Sequence, residues 1–216
     1  MNPIYLKDTV ERTNREEAKR FLKDFYDQAY MDGYASNNSL GIWNSIIQAS
    51  VQFTKALDVG CGVGAGFKKY REMGYEIFGC DLADASKQWV ENGIEKYCRI
   101  ADAKEMPYAD DEFDLVVCTD VLEHVPEFDV YSTLKEIWRV GSNRYFMSVA
   151  MHQERHPFKE YIYTHITLKP EEWWLLSMKA AGFLINNVKK QPFHFVVTAN
   201  KNLGYSVPGK ITEIGG

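Results

Sequence analysis

The run Ala56-Leu57-Asp58-Val59-Gly60-Cys61-Gly62-Val63-Gly64 constrains this chain more than any other stretch. A short apolar strand carrying one acid leads into a turn with glycine at alternate positions, and a helix begins near Ala65. Glycine lets the backbone turn sharply and lets a ligand approach without meeting a Cβ. The N–H groups that open the following helix form a cradle for a polar ligand. About twenty residues on, a second strand, Tyr75-Glu76-Ile77-Phe78-Gly79-Cys80, ends in Asp81. A carboxylate there can accept hydrogen bonds from both ribose hydroxyls of a nucleoside cofactor. The pattern is that of a crevice at the carboxyl ends of parallel strands.

Two cofactors fit. Gly60-x-Gly62-x-x-Ala65 satisfies the dinucleotide fingerprint with alanine in the last place, and Asp81 stands at the right remove. Against a nicotinamide dinucleotide, Asp58 lies where that fold needs no acid, and Gly64-Ala65-Gly66 is looser than a tightly packed fingerprint. Downstream come Ala101-Asp102-Ala103-Lys104-Glu105-Met106-Pro107-Tyr108, Asp110-Asp111-Glu112-Phe113-Asp114-Leu115-Val116-Val117 and Cys118-Thr119-Asp120-Val121-Leu122-Glu123-His124-Val125. With the glycine turn, these segments resemble the class I S-adenosylmethionine-dependent methyltransferases, particularly their small-molecule branch. The likeness runs over about 57–140 and resumes in the C-terminal third.

Position by position, the resemblance implies that Asp58, Gly60, Gly62 and Gly64 hold the methionine portion of S-adenosylmethionine. Cys61 stands among them, where the family accepts small residues. Asp81 matches the ribose-binding acid and Leu82 the apolar residue beside the adenine. Asp102 and Ala103 match the pair at the adenine edge. Thr119 and Asp120 match the strand end facing the methyl group.

Alternation of strands near 55–59, 75–80, 97–101, 113–118 and 143–149 with helices near 64–73, 84–94 and 127–140 implies an α/β fold: a mostly parallel, Rossmann-like sheet with helices on both faces. Gly141 reads as a helix stop. A helix over 170–181 and strands over 183–188 and 193–198 follow, and the resemblance implies that the last strand is antiparallel. Residues 1–52 read as an N-terminal helical cap, 53–200 as the cofactor-binding core and 201–216 as a poorly ordered tail. In the cap, Ala18, Phe21, Leu22, Phe25, Tyr26, Ala29 and Tyr30 recur at helical spacing. Tyr26 and Tyr30 are assigned to core packing, Tyr34 to the cleft, and a second helix to 40–52.

Composition limits the function classes. A formal net charge of −5 argues against wrapping a phosphate backbone, so no nucleic-acid partner is expected. No apolar run suggests a membrane span, and the polar start lacks a signal-peptide core. Cys61, Cys80, Cys98 and Cys118 form no C-x-x-C pair and read as small buried or cleft-lining residues, reduced in the cytoplasm. Oligomeric state is left open.

Substrate choice is expected in 150–166, after the fifth strand, where open α/β sheets bind ligands. The segment carries His152, His156 and His165 with Phe158, Tyr161 and Tyr163. Tyr34, His152 and Tyr163 are the substrate-contact candidates. His152 and His156 at i, i+4 lack a Cys or carboxylate to complete a metal site, so no metal is expected. The run from His165 to Trp174 looks like methyltransferases found beside glycan and lipopolysaccharide genes, whose matching histidine tends to face the active site. His165 is therefore the first candidate base, with His124, read as mainly architectural, and Asp120 behind it. The expected activity is methyl transfer to a small molecule or sugar, hydroxyl oxygen favoured over amine nitrogen. Methylation of a quinone-like ring, or cofactor binding without catalysis, are the alternatives.

Overall fold

The computed structural model describes residues 4–34, 38–154, 158–159 and 162–201; His156, Tyr161 and the tail after 201 lie outside them. Strand β1 (Ile4–Tyr5) and helices α1 (Leu6–Val10), α2 (Arg15–Met31) and α3 (Asn38–Gln48) form the N-terminal part. Asn14 starts α2 with a reciprocal cap: its side chain accepts from the Glu17 N–H, and the Glu17 carboxylate accepts from the Asn14 N–H. Alternation follows as β2 (Ala56–Val59), α4 (Ala65–Glu72), β3 (Ile77–Asp81), α5 (Ser86–Glu91), β4 (Cys98–Ile100), β5 (Phe113–Thr119), α6 (Glu127–Val140) and β6 (Gly141–Ala150). The chain continues through β7 (Ile162–Tyr163), α7 (Glu171–Ala181), β8 (Phe183–Lys190) and β9 (His194–Lys201).

Seven strands form one sheet in the order β4-β3-β2-β5-β6-β9-β8. The pairs from β4 through β6 are parallel, and β9 runs antiparallel to both β6 and β8. This is the Rossmann-like sheet with a reversed last strand that the sequence predicts. The strand order reverses between β2 and β5, and their carboxyl ends open the ligand crevice.

Strand residues alternate between two apolar layers, as a pleat requires. Leu115 and Val117 join Trp43, Phe67 and Trp89 on one face, while Val116 and Cys118 join Leu134, Ile137 and Trp174 on the other. Every residue of β2 is buried, Asp58 included. Truncating Leu134, which is fully buried, would cost about 2–5 kcal/mol.

Three local details differ from the sequence reading. Helix α3 stops at Gln48 rather than 52, because Ser50 turns into the left-handed region (φ 52°) and the Val51 N–H closes on the Ile46 carbonyl. Gly141 does stop α6, but by extending (φ −93°, ψ 140°) straight into β6 rather than by a left-handed turn. Its missing side chain makes room for the Tyr145 ring, which a Cβ would meet at 2.5 Å. The third departure is a separate parallel pair, β1 with β7, which the sequence reading does not foresee.

Candidate active site

The glycine turn leaves β2 with Gly60, Gly62 and Gly64 all at positive φ (70°, 53° and 78°). A Cβ on Gly60 would lie 2.2 Å from Val121 Cγ2, so this position admits no side chain as the structure stands. The N–H groups of Gly60 and Cys61 both donate to the Cys80 carbonyl, at 2.8 and 3.0 Å, which ties the turn to the end of β3.

Asp81 closes β3. Its carboxylate accepts from the Gly62 N–H at 2.8 Å, the Ala83 N–H at 3.0 Å and the Tyr30 hydroxyl at 3.2 Å. Burial raises its pKa against these donors. A carboxylate offers about four lone-pair directions, so three donors leave capacity for a ribose hydroxyl.

The cleft above the turn has a volume of about 160 Å³. Gly60, Cys61, Gly62, Asp81, Leu82, Asp102, Ala103 and Thr119 line it, together with Asp120 and His124. Asp58 and Gly64 do not. Asp58 lies beneath the turn, only 1% exposed, where Trp43 Nε1 donates to Oδ2 at 2.9 Å and Oδ1 is buried without a partner. Burial pushes its pKa up to about 7. The placement is that of a residue supporting the turn rather than one touching a ligand from the cleft wall. Asp102 is paired by Lys19 of α2 at 3.0 Å and accepts from the Lys104 N–H at 3.1 Å.

Tyr30 belongs to a buried core cluster and Tyr26 packs against it, as expected, and both have a second role. Both line the cleft with Tyr34. Tyr30 stacks on Tyr34 with centroids 6.1 Å apart, and the Tyr26 hydroxyl stands 2.9 Å from His124 Nδ1. Tyr26, Tyr30 and Tyr34 recur every fourth residue, a spacing that puts them on one side of a helix and its extension.

A second cavity of about 580 Å³ adjoins the cleft and shares Tyr34, Thr119, Asp120 and His124 with it. His165 lines this chamber and not the cleft, beside Glu123, His152, Glu154, Phe158 and Phe193. Tyr163 lines neither; it stacks on Tyr5 at 4.7 Å in the β1–β7 pair, which corrects its assignment to substrate contact.

The two histidine rings meet edge to face, with centroids 4.9 Å apart. His165 Nδ1 donates to the His152 carbonyl at 2.7 Å, and His124 Nδ1 stands 3.0 Å from the Thr164 carbonyl. A carbonyl can only accept, so each contact favours the proton on Nδ1 and leaves Nε2 as the proton acceptor. Burial, and next the neighbouring His165, push His124 down to about 4, so its ring is neutral at pH 7. His124 thus ties Tyr26 to the Thr164 segment and also borders both cavities.

Glu123, which sequence reasoning passed over, ties three segments together. Its carboxylate accepts from the Ala150 N–H at 2.9 Å, and its carbonyl accepts from the N–H groups of Ile166 and Thr167. Burial, then Asp120, raises its pKa to about 8. Glu123 Oε2 and Thr119 Oγ1 are both buried without partners at the chamber wall. Buried polar atoms are rarely left unsatisfied, and a polar ligand would satisfy these two. One donor atom each from Glu123, His124 and His165 lies within 4.8 Å of the others, a set suited to a hydrogen-bonding acceptor or a metal ion.

The fold resembles that of solved Rossmann-like methyltransferases. The solved 1,6-didemethyltoxoflavin-N1-methyltransferase of Burkholderia thailandensis, with its substrate and S-adenosylhomocysteine bound, superposes with a TM-score of 0.69 over 88% of this chain and 91% of that one, at 17% identity. Residues 57–144 match the family described as "Methyltransferase domain". Over that segment the chain is similar to this family, and its fold is the one that class I S-adenosylmethionine-dependent methyltransferases share. A ubiquinone biosynthesis O-methyltransferase of Bordetella avium is 31% identical over 91 residues, 39% of this chain and 38% of the relative. A sterol 4-C-methyltransferase of Caenorhabditis elegans shows the same identity over 39% of this chain and 27% of its own length. The chain therefore spans less than half the length of these curated relatives.

Proposed function

We propose that this chain transfers the methyl group of S-adenosylmethionine to a small molecule or sugar held in the 580 Å³ chamber. The observation that carries the proposal is the shared wall: Thr119, Asp120, His124 and Tyr34 border both the cofactor cleft and the chamber. A methyl donor on one side and a nucleophile on the other would meet there. The bound cofactor supplies an electrophilic methyl group on a sulfonium. The protein's part is to hold the reacting atoms in line and to keep water out, which supplies most of the rate in such a displacement.

A hydroxyl nucleophile must lose its proton, and His165 is the proposed acceptor of it. The His152 carbonyl holds the Nδ1 proton, which presents Nε2 as the base. His124 is second in line, oriented by Tyr26 and the Thr164 carbonyl. The named relatives act on oxygen, nitrogen and carbon, so the atom methylated rests on this site's own chemistry, and two imidazoles that present Nε2 suit a hydroxyl. A quinone-like ring is the second reading, favoured by the aromatic walls of Phe158 and Phe193 and by the Bordetella relative. Acceptor-dependent release of S-adenosylhomocysteine, measured across phenols, sugars and amines, tests the proposal. Cofactor binding with no release on any class would instead favour a non-catalytic binding module.

A further inference from the structure

The chamber has a charge pattern that narrows the acceptor. Among the described residues that line it, three are acids, Asp120, Glu123 and Glu154, and none is Lys or Arg. Lys159, the nearest described cation in sequence, is paired with Asp32 and stands over the Phe158 ring. Glu154 is held ionised, in contrast to the buried Glu123, whose pKa is raised. Although burial works against its charge, the Thr164 N–H and hydroxyl and the neighbouring His165 hold its carboxyl below the ordinary range. It accepts from the Thr164 N–H and hydroxyl, from the Gln153 amide and from the His165 N–H at 3.4 Å, all neutral donors, and among the described residues no Lys or Arg pairs with it, His165 Nδ1 standing 3.5 Å away. Its field reaches Tyr34, whose hydroxyl is raised to about 12 by burial and next by Glu154. The chamber therefore brings an ionised carboxylate and an aromatic ring into one lining, which also holds the unpartnered Glu123 Oε2 and Thr119 Oγ1.

We infer that the acceptor carries an amine, bound as its ammonium ion between the Glu154 carboxylate and the Tyr34 ring, and that acceptors bearing carboxylate or phosphate are rejected. The inference rests on the methyltransferase reading and adds the substrate class. An ammonium gains from the carboxylate and from the ring face. An anion would be placed beside Glu154 with no cation among the described lining residues, and like charges brought together cost several kcal/mol. The amine is the recognition handle, while a hydroxyl on the same molecule is the nucleophile that faces the histidines.

Two three-member series test this by titration at pH 7 with S-adenosylhomocysteine present. One is 2-phenylethylamine, 2-phenylethanol and phenylacetate; the other is glucosamine, glucose and glucose 6-phosphate. In at least one series the amine should bind tightest, by at least about tenfold over the anion. Glu154→Gln should shrink that preference to within about twofold while S-adenosylhomocysteine affinity stays at the wild-type value. Should Glu154→Gln misfold, Gln153→Lys serves, because an ammonium at that amide's position would neutralise Glu154 and favour the carboxylate member. The inference is overturned if the anion or the alcohol binds tightest in both series, or if no amine binds up to about 10 mM. Saturable S-adenosylhomocysteine binding without amine binding sinks this inference alone; no S-adenosylhomocysteine binding sinks the methyltransferase reading.

Discussion

Tyr30 of the cap helix donates its hydroxyl to Oδ2 of Asp81 at 3.2 Å, so this acid at the end of β3 is held from α2 as well as from the glycine turn. Both residues should report on cofactor affinity, in a fixed order. Asp81→Ala should weaken S-adenosylhomocysteine binding by about 1.5–3 kcal/mol, the loss of charge-assisted hydrogen bonds. Tyr30→Phe should cost only about 0.5–1.5 kcal/mol, since Gly62 and Ala83 still orient the carboxylate. Calorimetry on both variants checks this, and a larger loss in Tyr30→Phe would reverse the assignment.

The two histidines should separate kinetically. His165→Ala should leave cofactor affinity near wild type while lowering kcat by roughly 10²–10⁴-fold. His124→Ala removes the partner of Tyr26 and of the Thr164 carbonyl at the shared wall, so it should disturb cofactor affinity and stability as well as turnover. Because His124 titrates at about 4, it stays neutral through the working range. An acid limb near that value, surviving in His165→Ala and absent in His124→Ala, would transfer the role of base to His124.

Much of this architecture is legible in local sequence. Helix α6 runs from Glu127 to Val140, the bounds expected from its sequence, with Val130, Leu134 and Ile137 buried. Strands β2, β3 and β5 coincide with apolar runs to within two residues, and the glycine turn sits where Gly60 to Gly64 place it. The β1–β7 pair escaped because two-residue strands carry no period, and Tyr163 was lost to the chamber by that pairing. Tyr26, Glu123 and Glu154 escaped for a different reason. Their roles arise from contacts across 98, 27 and 10 positions, with His124, Ala150 and Thr164, which no local pattern encodes.

Stability should carry the mark of Asp58. Its folded pKa of about 7 lies above the ordinary 3.8, so the folded state holds its proton longer than the unfolded chain does. The contribution is complete below 3.8, is lost as pH rises through that window to about 7, and is flat above it. Asp58→Asn keeps an acceptor for Trp43 Nε1 and removes the titration. Its melting temperature relative to wild type should therefore rise between pH 4 and pH 7. Glu123 acts in the same direction up to about 8 and His124 oppositely down to about 4, but both are common to the two proteins and cancel in the difference. A difference independent of pH would contradict a protonated Asp58.

Gly60 and Val121 should behave as a coupled pair. Gly60→Ala places a methyl group 2.2 Å from Val121 Cγ2 at a φ of 70°, and should lower both stability and cofactor affinity. Adding Val121→Ala should restore part of the loss and leave the backbone strain, of the order of 1–3 kcal/mol. Thermal melts of the two single variants and the double variant give the coupling, and strict additivity would place the two residues apart.

Calorimetry of the purified chain with S-adenosylmethionine, S-adenosylhomocysteine, NAD and NADH tests the central claim most directly. The first two should bind saturably at micromolar levels, about −8 kcal/mol, with the affinity falling in Asp81→Ala, and the nicotinamide dinucleotides should give no saturable heat. Preferential binding of NAD, or equal affinity for S-adenosylhomocysteine in wild type and Asp81→Ala, would contradict the placement of S-adenosylmethionine in this cleft.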